Sequence, residues 1–184
     1  RNMSVPALTA KLEAAERAGR LPKVVVPVHF TGRPCEMAAI RALSRRYGFF
    51  VVDDASHAVG SAIDGVPVGN GRDSDITVFS FHPVKIVTTA EGGMAMTNDA
   101  ELARRMRLAR SHGMEREAAR FEGAPEGEWV YEMQSLGFNY RLTDLHAALG
   151  LSQLHRLDAF IARREALVAR YEQRSLLRRI DGER

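Results

Sequence analysis

The chain has 184 residues, 45% hydrophobic and 27% charged, with 26 Lys and Arg against 23 Asp and Glu for a formal net charge of +3. That composition suits one globular domain with its own core, and neither a membrane-span-length apolar run nor a secretory leader is visible in it. The basic residues gather toward the C-terminal end (Arg156, Arg163, Arg164, Arg170, Arg174, Arg178, Arg179). Asp158, Glu165 and Glu172 interrupt them, so they read as a solvated helix face rather than a nucleic-acid groove.

In chain order, Leu8, Leu12 and Ala15 on one side of residues 7–19 predict an amphipathic helix closed by Pro22. Val24 to Phe30 (VVVPVHF) is apolar and rich in β-branched residues, which predicts a buried strand, and Thr31-Gly32-Arg33-Pro34 is a turn. Cys35, alone, excludes an internal disulfide and fits a reducing, cytoplasmic setting. Residues 36–46 have helical spacing through Met37, Ile40 and Leu43, and Gly48 stops them before a second strand, Phe49 to Val52. Strand, helix and strand make a parallel βαβ unit, and strands apolar throughout predict a sheet covered on both faces.

Further strands are predicted at Ile76–Phe81 and Gly93–Thr97, and Asp99 is placed to cap a helix running to about Arg110. The polar stretch Glu115–Ser135, with Gly123, Pro125 and Gly127, reads as a long loop. From Thr143 a helical pattern runs toward Tyr171 in two pieces. The fold class is therefore α/β, a mostly parallel sheet flanked by helices. Residues 1–145 form the sheet-bearing part and 146–184 a helical segment leading out of it.

Ligands in open α/β sheets sit outside the carboxyl ends of the strands. The second strand runs into Asp53-Asp54, with His57 just beyond, and the third into Ser80, with Lys85 just beyond. A lysine near a carboxylate on such a rim can form a Schiff base with a carbonyl cofactor. Pyridoxal phosphate (PLP) needs that lysine and an acid to keep its ring nitrogen protonated. On that reading Lys85 bonds the cofactor, Asp54 pairs with the ring nitrogen, His57 meets the ring and Ser80 donates to the phosphate. Plainer readings stand beside these: a solvated Lys85, a capping or metal-binding Asp54, Asp53 in its place, and Ser80 as a core hydroxyl.

Phe79-Ser80-Phe81-His82-Pro83-Val84-Lys85-Ile86-Val87-Thr88-Thr89-Ala90-Glu91-Gly92-Gly93 closely resembles the lysine motif of the DegT/DnrJ/EryC1/StrS sugar aminotransferases. Asp54-Ala55-Ser56-His57-Ala58-Val59-Gly60 resembles that family's ring-binding motif. Gly137-Phe138-Asn139-Tyr140-Arg141-Leu142-Thr143-Asp144 is similar to its G-x-N-x-R-L segment. The resemblance implies the large-domain core of a type I, aspartate aminotransferase-like fold, with residues 1–145 in the PLP-binding large domain and 146–184 leading toward the small domain. It implies PLP as cofactor, Lys85 as the cofactor-bearing proton shuttle, and Asp54, His57 and Ser80 around the ring and phosphate. Asn139 is then directed to the cofactor phosphate of a neighbouring subunit in a homodimer, and Arg141 supports that loop or meets substrate.

Pro27-Val28-His29-Phe30-Thr31-Gly32, Ser111-His112-Gly113-Met114 and Leu149-Gly150-Leu151-Ser152-Gln153-Leu154 are most similar to one branch of the family. That branch moves an amino group from glutamate to C4 of a UDP-linked 4-keto-6-deoxy-N-acetylhexosamine, giving UDP-4-amino-4,6-dideoxy-N-acetyl-β-L-altrosamine on the way to pseudaminic acid. The family's N-terminal Gly-Thr phosphate turn and most of its small domain find no counterpart, so the chain is expected to be part of a longer protein.

Other classes fit less well. A sugar dehydratase of this family carries His where Lys85 stands. Gly69-Asn70-Gly71 lacks the third glycine and the helix of a dinucleotide site. The six histidines form no H-E-x-x-H pair, and Asp73-x-Asp75 reads as a turn leading into a strand. A PLP-fold sensor or regulator is the non-enzyme alternative, against which the presence of both Lys85 and Asp54 argues.

Overall fold

The computed structural model describes residues 1–173. Helix α1 (Val5–Arg17) begins at Ser4, whose side-chain oxygen accepts from the Ala7 amide, and buries Leu12. β1 (Val24–Val25) leads through a turn into α2 (Met37–Tyr47), which buries Met37, Ile40, Ser44 and Tyr47 and ends on Gly48 in the left-handed region at φ 75°. β2 (Phe50–Asp54) returns parallel to β1, with Val24 opposite Phe50 and Val25 opposite Val51.

The predicted strand over Val24–Phe30 stops at Val25, because Pro27 has no amide hydrogen for the ladder. Pairing resumes at Val28, opposite Asp54. There the Asp54 amide donates to Pro27 O at 2.9 Å and the His29 amide to Asp54 O at 3.0 Å. Phe30–Gly32 then form a 3-10 turn.

Two short strands, β3 (Ala62–Ile63) and β4 (Val66–Pro67), make a hairpin. β5 (Ile76–Ser80) lies parallel to β2, with Val52, Asp53 and Asp54 opposite Ile76, Thr77 and Val78. β6 (Gly93–Met96) closes the sheet antiparallel, Ser80 facing Gly93, so the order is β1-β2-β5-β6. Asp75, just before β5, receives Arg41 of α2 at 3.0–3.2 Å through two guanidinium nitrogens and the Val51 amide at 2.7 Å, tying helix and strands together.

Burial alternates along the strands, which corrects the expectation of a sheet covered on both faces. Val25 and Val51 join Leu12, Cys35, Met37, Ile40, Tyr47 and Phe49 in one core beneath α1 and α2. Val24, Val26, Val28 and Phe50, of the opposite parity, are exposed, so the described residues cover one face there. A second core of Ala55, Ala58, Val59, Phe79, Phe81 and Val87 lies under the carboxyl ends of β2 and β5.

Asp99 caps α3 (Ala100–Arg110), accepting from the Glu101 and Leu102 amides. The stretch predicted as a loop over 115–135 contains a hairpin, β7 (Met114–Glu115) against β8 (Glu132–Met133). α4 (Asp144–Leu154), capped by Thr143, and α5 (Leu157–Gln173) form the predicted pair of helices. Arg174, Arg178 and Arg179 of the basic cluster lie outside the described residues. Among the described residues no helix is long and apolar enough to cross a membrane.

Candidate active site

Asp54 ends β2 on the sheet face opposite to Asp53. Its Oδ1 accepts the Ser56 amide at 3.0 Å, and Oδ2 has no hydrogen-bond partner among the described residues. Partial burial raises its pKa, but the Ser56 hydrogen bonds and the electrostatic pull of the neighbouring His57 and Lys85 outweigh that and hold it below the ordinary aspartate value. Asp54 is thus an anion within electrostatic reach of both His57 and Lys85.

The loop carrying His57 is fixed from below. Ala55 and Ala58 are fully buried, and the Ala55 amide donates to Val78 O and the Ala58 amide to Ala55 O, both at 2.8 Å. His57 itself is exposed. Its Nδ1 accepts the Thr31 amide at 3.3 Å, which leaves the proton of the neutral ring on Nε2. Its ring stands 6.2 Å from that of Phe30, tilted by 56°.

Ser80 closes β5 on the same face as Asp54, two residues beyond Val78, which pairs with Asp54. Its Oγ accepts the His82 amide at 3.4 Å. The loop from Phe81 to Gly92 is pinched at its base, where the Phe81 amide donates to Gly92 O at 2.9 Å and the Thr89 amide to Phe81 O at 3.0 Å. Fully buried Val87 anchors it. Half-buried Lys85 sits on its outer turn, its amide donating to His82 O at 2.9 Å. The structure therefore gathers Asp54, His57, Ser80 and Lys85 at one end of the parallel strands.

Asn139 and Arg141 are not part of this cluster. Asn139 bridges to Ser111 beyond the end of α3. The Phe138 and Tyr140 amides donate to Ala109 O at 2.6 Å and Arg110 O at 2.9 Å. The exposed Asn139 side chain makes no hydrogen bond among the described residues. Arg141 borders a cleft of about 690 Å³ with Arg104, Arg107, Arg110 and His112. The next residue, Leu142, returns to the lysine loop: a Cβ at Gly92 would lie 2.7 Å from its Cδ1.

Several residues around the site escape sequence reasoning. Asp53 does not share the role of Asp54. It is 3% exposed and faces His29, itself fully buried, whose Nε2 lies 2.8 Å from Asp53 Oδ1. Neither of those atoms has another partner among the described residues. Burial lowers the His29 pKa, while Asp53 raises it above its ordinary value. The Cys35 amide occupies Nδ1 at 3.0 Å, so a second proton enters only by breaking that bond. The sequence signal was a histidine within an otherwise apolar run, since buried polar groups are paired. Thr31, which reaches His57 by a backbone amide, left no such signal.

The residues present fit PLP. A carboxylate kept ionised, with one oxygen free, is the partner a pyridine N–H requires. The Nε2–H of His57 is a donor, the Ser80 hydroxyl serves a phosphate, and an amine lies within electrostatic reach of the carboxylate.

The chain is similar to known proteins. The spore coat polysaccharide biosynthesis protein SpsC of Bacillus subtilis is 44% identical over 162 residues, 88% of this chain and 40% of that protein. PseC of Helicobacter pylori, an aminotransferase involved in the biosynthesis of pseudoaminic acid, matches with a TM-score of 0.80 and 33% identity, over 94% of this chain and 42% of its own. Spr1654 of Streptococcus pneumoniae in its PLP form matches with a TM-score of 0.74 and 28% identity, over 95% of this chain and 45% of its own. The chain thus spans less than half the length of each of these relatives. The match to the DegT/DnrJ/EryC1/StrS aminotransferases covers residues 2–183, and the chain belongs to that PLP-dependent enzyme family.

Proposed function

We propose that the chain is the lysine-bearing core, with residues 1–145 in the PLP-binding large domain and 146–184 leading toward the small one, of a nucleotide-sugar aminotransferase. It moves an amino group from glutamate to C4 of a UDP-linked 4-keto-6-deoxy-N-acetylhexosamine, as in pseudaminic acid synthesis. The observation that carries the chemistry is the convergence of Asp54, His57, Ser80 and Lys85 on one rim, with the Asp54 carboxylate held ionised. The likeness to PseC, at 33% identity, supports the sugar.

PLP, when bound, supplies a protonated ring that draws electrons from the carbon losing its proton. Lys85 Nζ would hold the cofactor and, as a free amine, would take the proton from the glutamate Cα and return it. Asp54 would keep the ring nitrogen protonated, His57 would meet the ring, and Ser80 would donate to the phosphate. Asn139 reaches the cofactor phosphate of the second subunit of a cytoplasmic homodimer, and Arg141 steadies that segment or meets the sugar nucleotide. The two half-reactions alternate at one site.

A second reading, the same transfer onto another nucleotide-linked keto sugar, is favoured by the 44% identity to a spore coat polysaccharide protein. Glutamate added to the full-length protein tests the shared chemistry: the cofactor absorbance converts to the pyridoxamine form, and borohydride labelling beforehand maps to Lys85. Turnover of UDP-linked 4-keto sugars against other keto sugars then separates the two readings. A protein that binds PLP but takes an amino group from neither glutamate nor any other amino acid offered is a sensor, not an aminotransferase.

A further inference from the structure

We propose that His29 and Asp53, both turned away from the candidate site, are positioning residues that set the tautomer of His57. Asp53 and His29 are 3% and 0% exposed and meet through Oδ1 and Nε2 at 2.8 Å. Asp53 is held in turn by the Thr77 hydroxyl on its Oδ2 at 3.4 Å. His29 then fixes the turn that follows it. Its amide donates to Asp54 O at 3.0 Å, its carbonyl accepts the Gly32 amide at 3.1 Å, and its Nδ1 accepts the Cys35 amide at 3.0 Å.

That turn is strained. Thr31 sits at φ 58°, in the left-handed region that a β-branched residue avoids. Such conformations persist only where their surroundings over-determine them. The strain has a product: it aims the Thr31 amide at Nδ1 of His57, 3.3 Å away. The turn is also clamped onto the His57 loop. Ser61 Oγ donates to Gly32 O at 2.8 Å, and a Cβ at Gly32 would come 2.9 Å from His57 O. Without the His29–Asp53 anchor, Thr31 relaxes toward negative φ and its amide leaves His57. The His57 ring then loses the contact that keeps its proton on Nε2. A ring with Nε2–H offers a donor toward the site, whereas the other tautomer offers a lone pair. Only this last consequence rests on the function proposed above.

The test is ¹⁵N NMR of the His57 side chain in full-length, histidine-labelled protein, with thermal stability measured alongside. The wild type is expected to show Nδ1 unprotonated and Nε2 protonated. Asp53→Asn keeps an acceptor for His29 and should retain that signature. Asp53→Ala and His29→Ala should move both nitrogens toward averaged shifts. If the alanine variants do not fold, His29→Gln carries the test: its amide keeps a donor for Asp53 but removes the ring Nδ1 that accepts the Cys35 amide, and it should shift the same way. A protonated Nδ1 in the wild type overturns the proposal. So does an unchanged His57 signature in the folded variants, accompanied only by a loss of stability. Because the signature is read without turnover, a failure of the glutamate reaction leaves this result standing.

Discussion

Asp53 and Asp54 are consecutive residues of β2, yet their carboxylates serve opposite faces of the sheet. Asp53 points inward to His29 Nε2 at 2.8 Å. Asp54 points to the open rim, where Ser56 holds one oxygen and His57 and Lys85 act on its charge. The alternation of side chains along a strand forces this division. It predicts that Asp54→Asn lowers transamination by roughly 10²–10⁴-fold, the range a lost proton-handling group costs, while borohydride still traps the cofactor on Lys85. A normal rate in that variant means that Asp54 is not the ring partner.

The electrostatics of Asp54 predict a pH dependence. Its folded pKa lies below the ordinary value of 3.8, so its ionised form contributes stability that is complete above that value and is lost as pH falls through the folded pKa. The difference in melting temperature between wild type and Asp54→Asn should be flat from neutral pH to about pH 5 and change only below it. The effect is small, because the partly exposed carboxylate is screened by solvent. A difference that changes between pH 6 and 8 belongs to another group.

Lys85→Ala should remove transamination while leaving the fold intact. The lysine is half-buried on the outer turn of its loop, and the structural work there is done by Val87 and the Phe81–Gly92 pinch. Near-wild-type thermal stability with no glutamate half-reaction is the expected pair of results, and retained turnover would sink the assignment.

What could be read in advance followed from local chemistry. β2, β5, the Asp99 cap, the helical pattern from Thr143 and the Gly48 stop all leave signals within a few residues. Asp54, His57, Ser80 and Lys85 could be placed because each lies at or just past a strand end. Two-residue strands such as β3 and β7 leave no period to detect. The strand over Val24–Phe30 misled because its apolar pattern outweighed the missing donor of Pro27. Contacts across long separations were invisible: Thr31 meets His57 through a backbone amide, and Arg41 finds Asp75 through the packing of α2 on the sheet.

The Arg41–Asp75 pairing makes its own prediction. Asp75→Ala strands the Val51 amide, on a residue that is 0% exposed, and leaves the Arg41 guanidinium unpaired. It should cost about 1–3 kcal/mol, seen as a lower urea midpoint at unchanged slope. Turnover per folded molecule should not change, since Asp75 stands at the opposite end of β5 from Ser80. An unchanged midpoint would show that the hydrogen bonds to Asp75 carry no net stability.

The placement of Asn139 bears on whether the working site is built from two subunits. Its backbone is held to Ser111, and its side chain is exposed and unbonded among the described residues. If it serves the neighbouring subunit, Asn139→Ala and Lys85→Ala proteins are each impaired alone, but they complement when mixed and allowed to exchange. One site of the mixed dimer then combines an intact Lys85 from one chain with an intact Asn139 from the other. Random exchange puts half the protein in mixed dimers with one good site in two, so roughly a quarter of wild-type activity should return, as a two-fold symmetric interface requires. If Asn139 acts within its own chain, every site in the mixture, in homodimers and mixed dimers alike, lacks one residue or the other. No recovery after verified exchange therefore assigns Asn139 to its own subunit and removes the composite site.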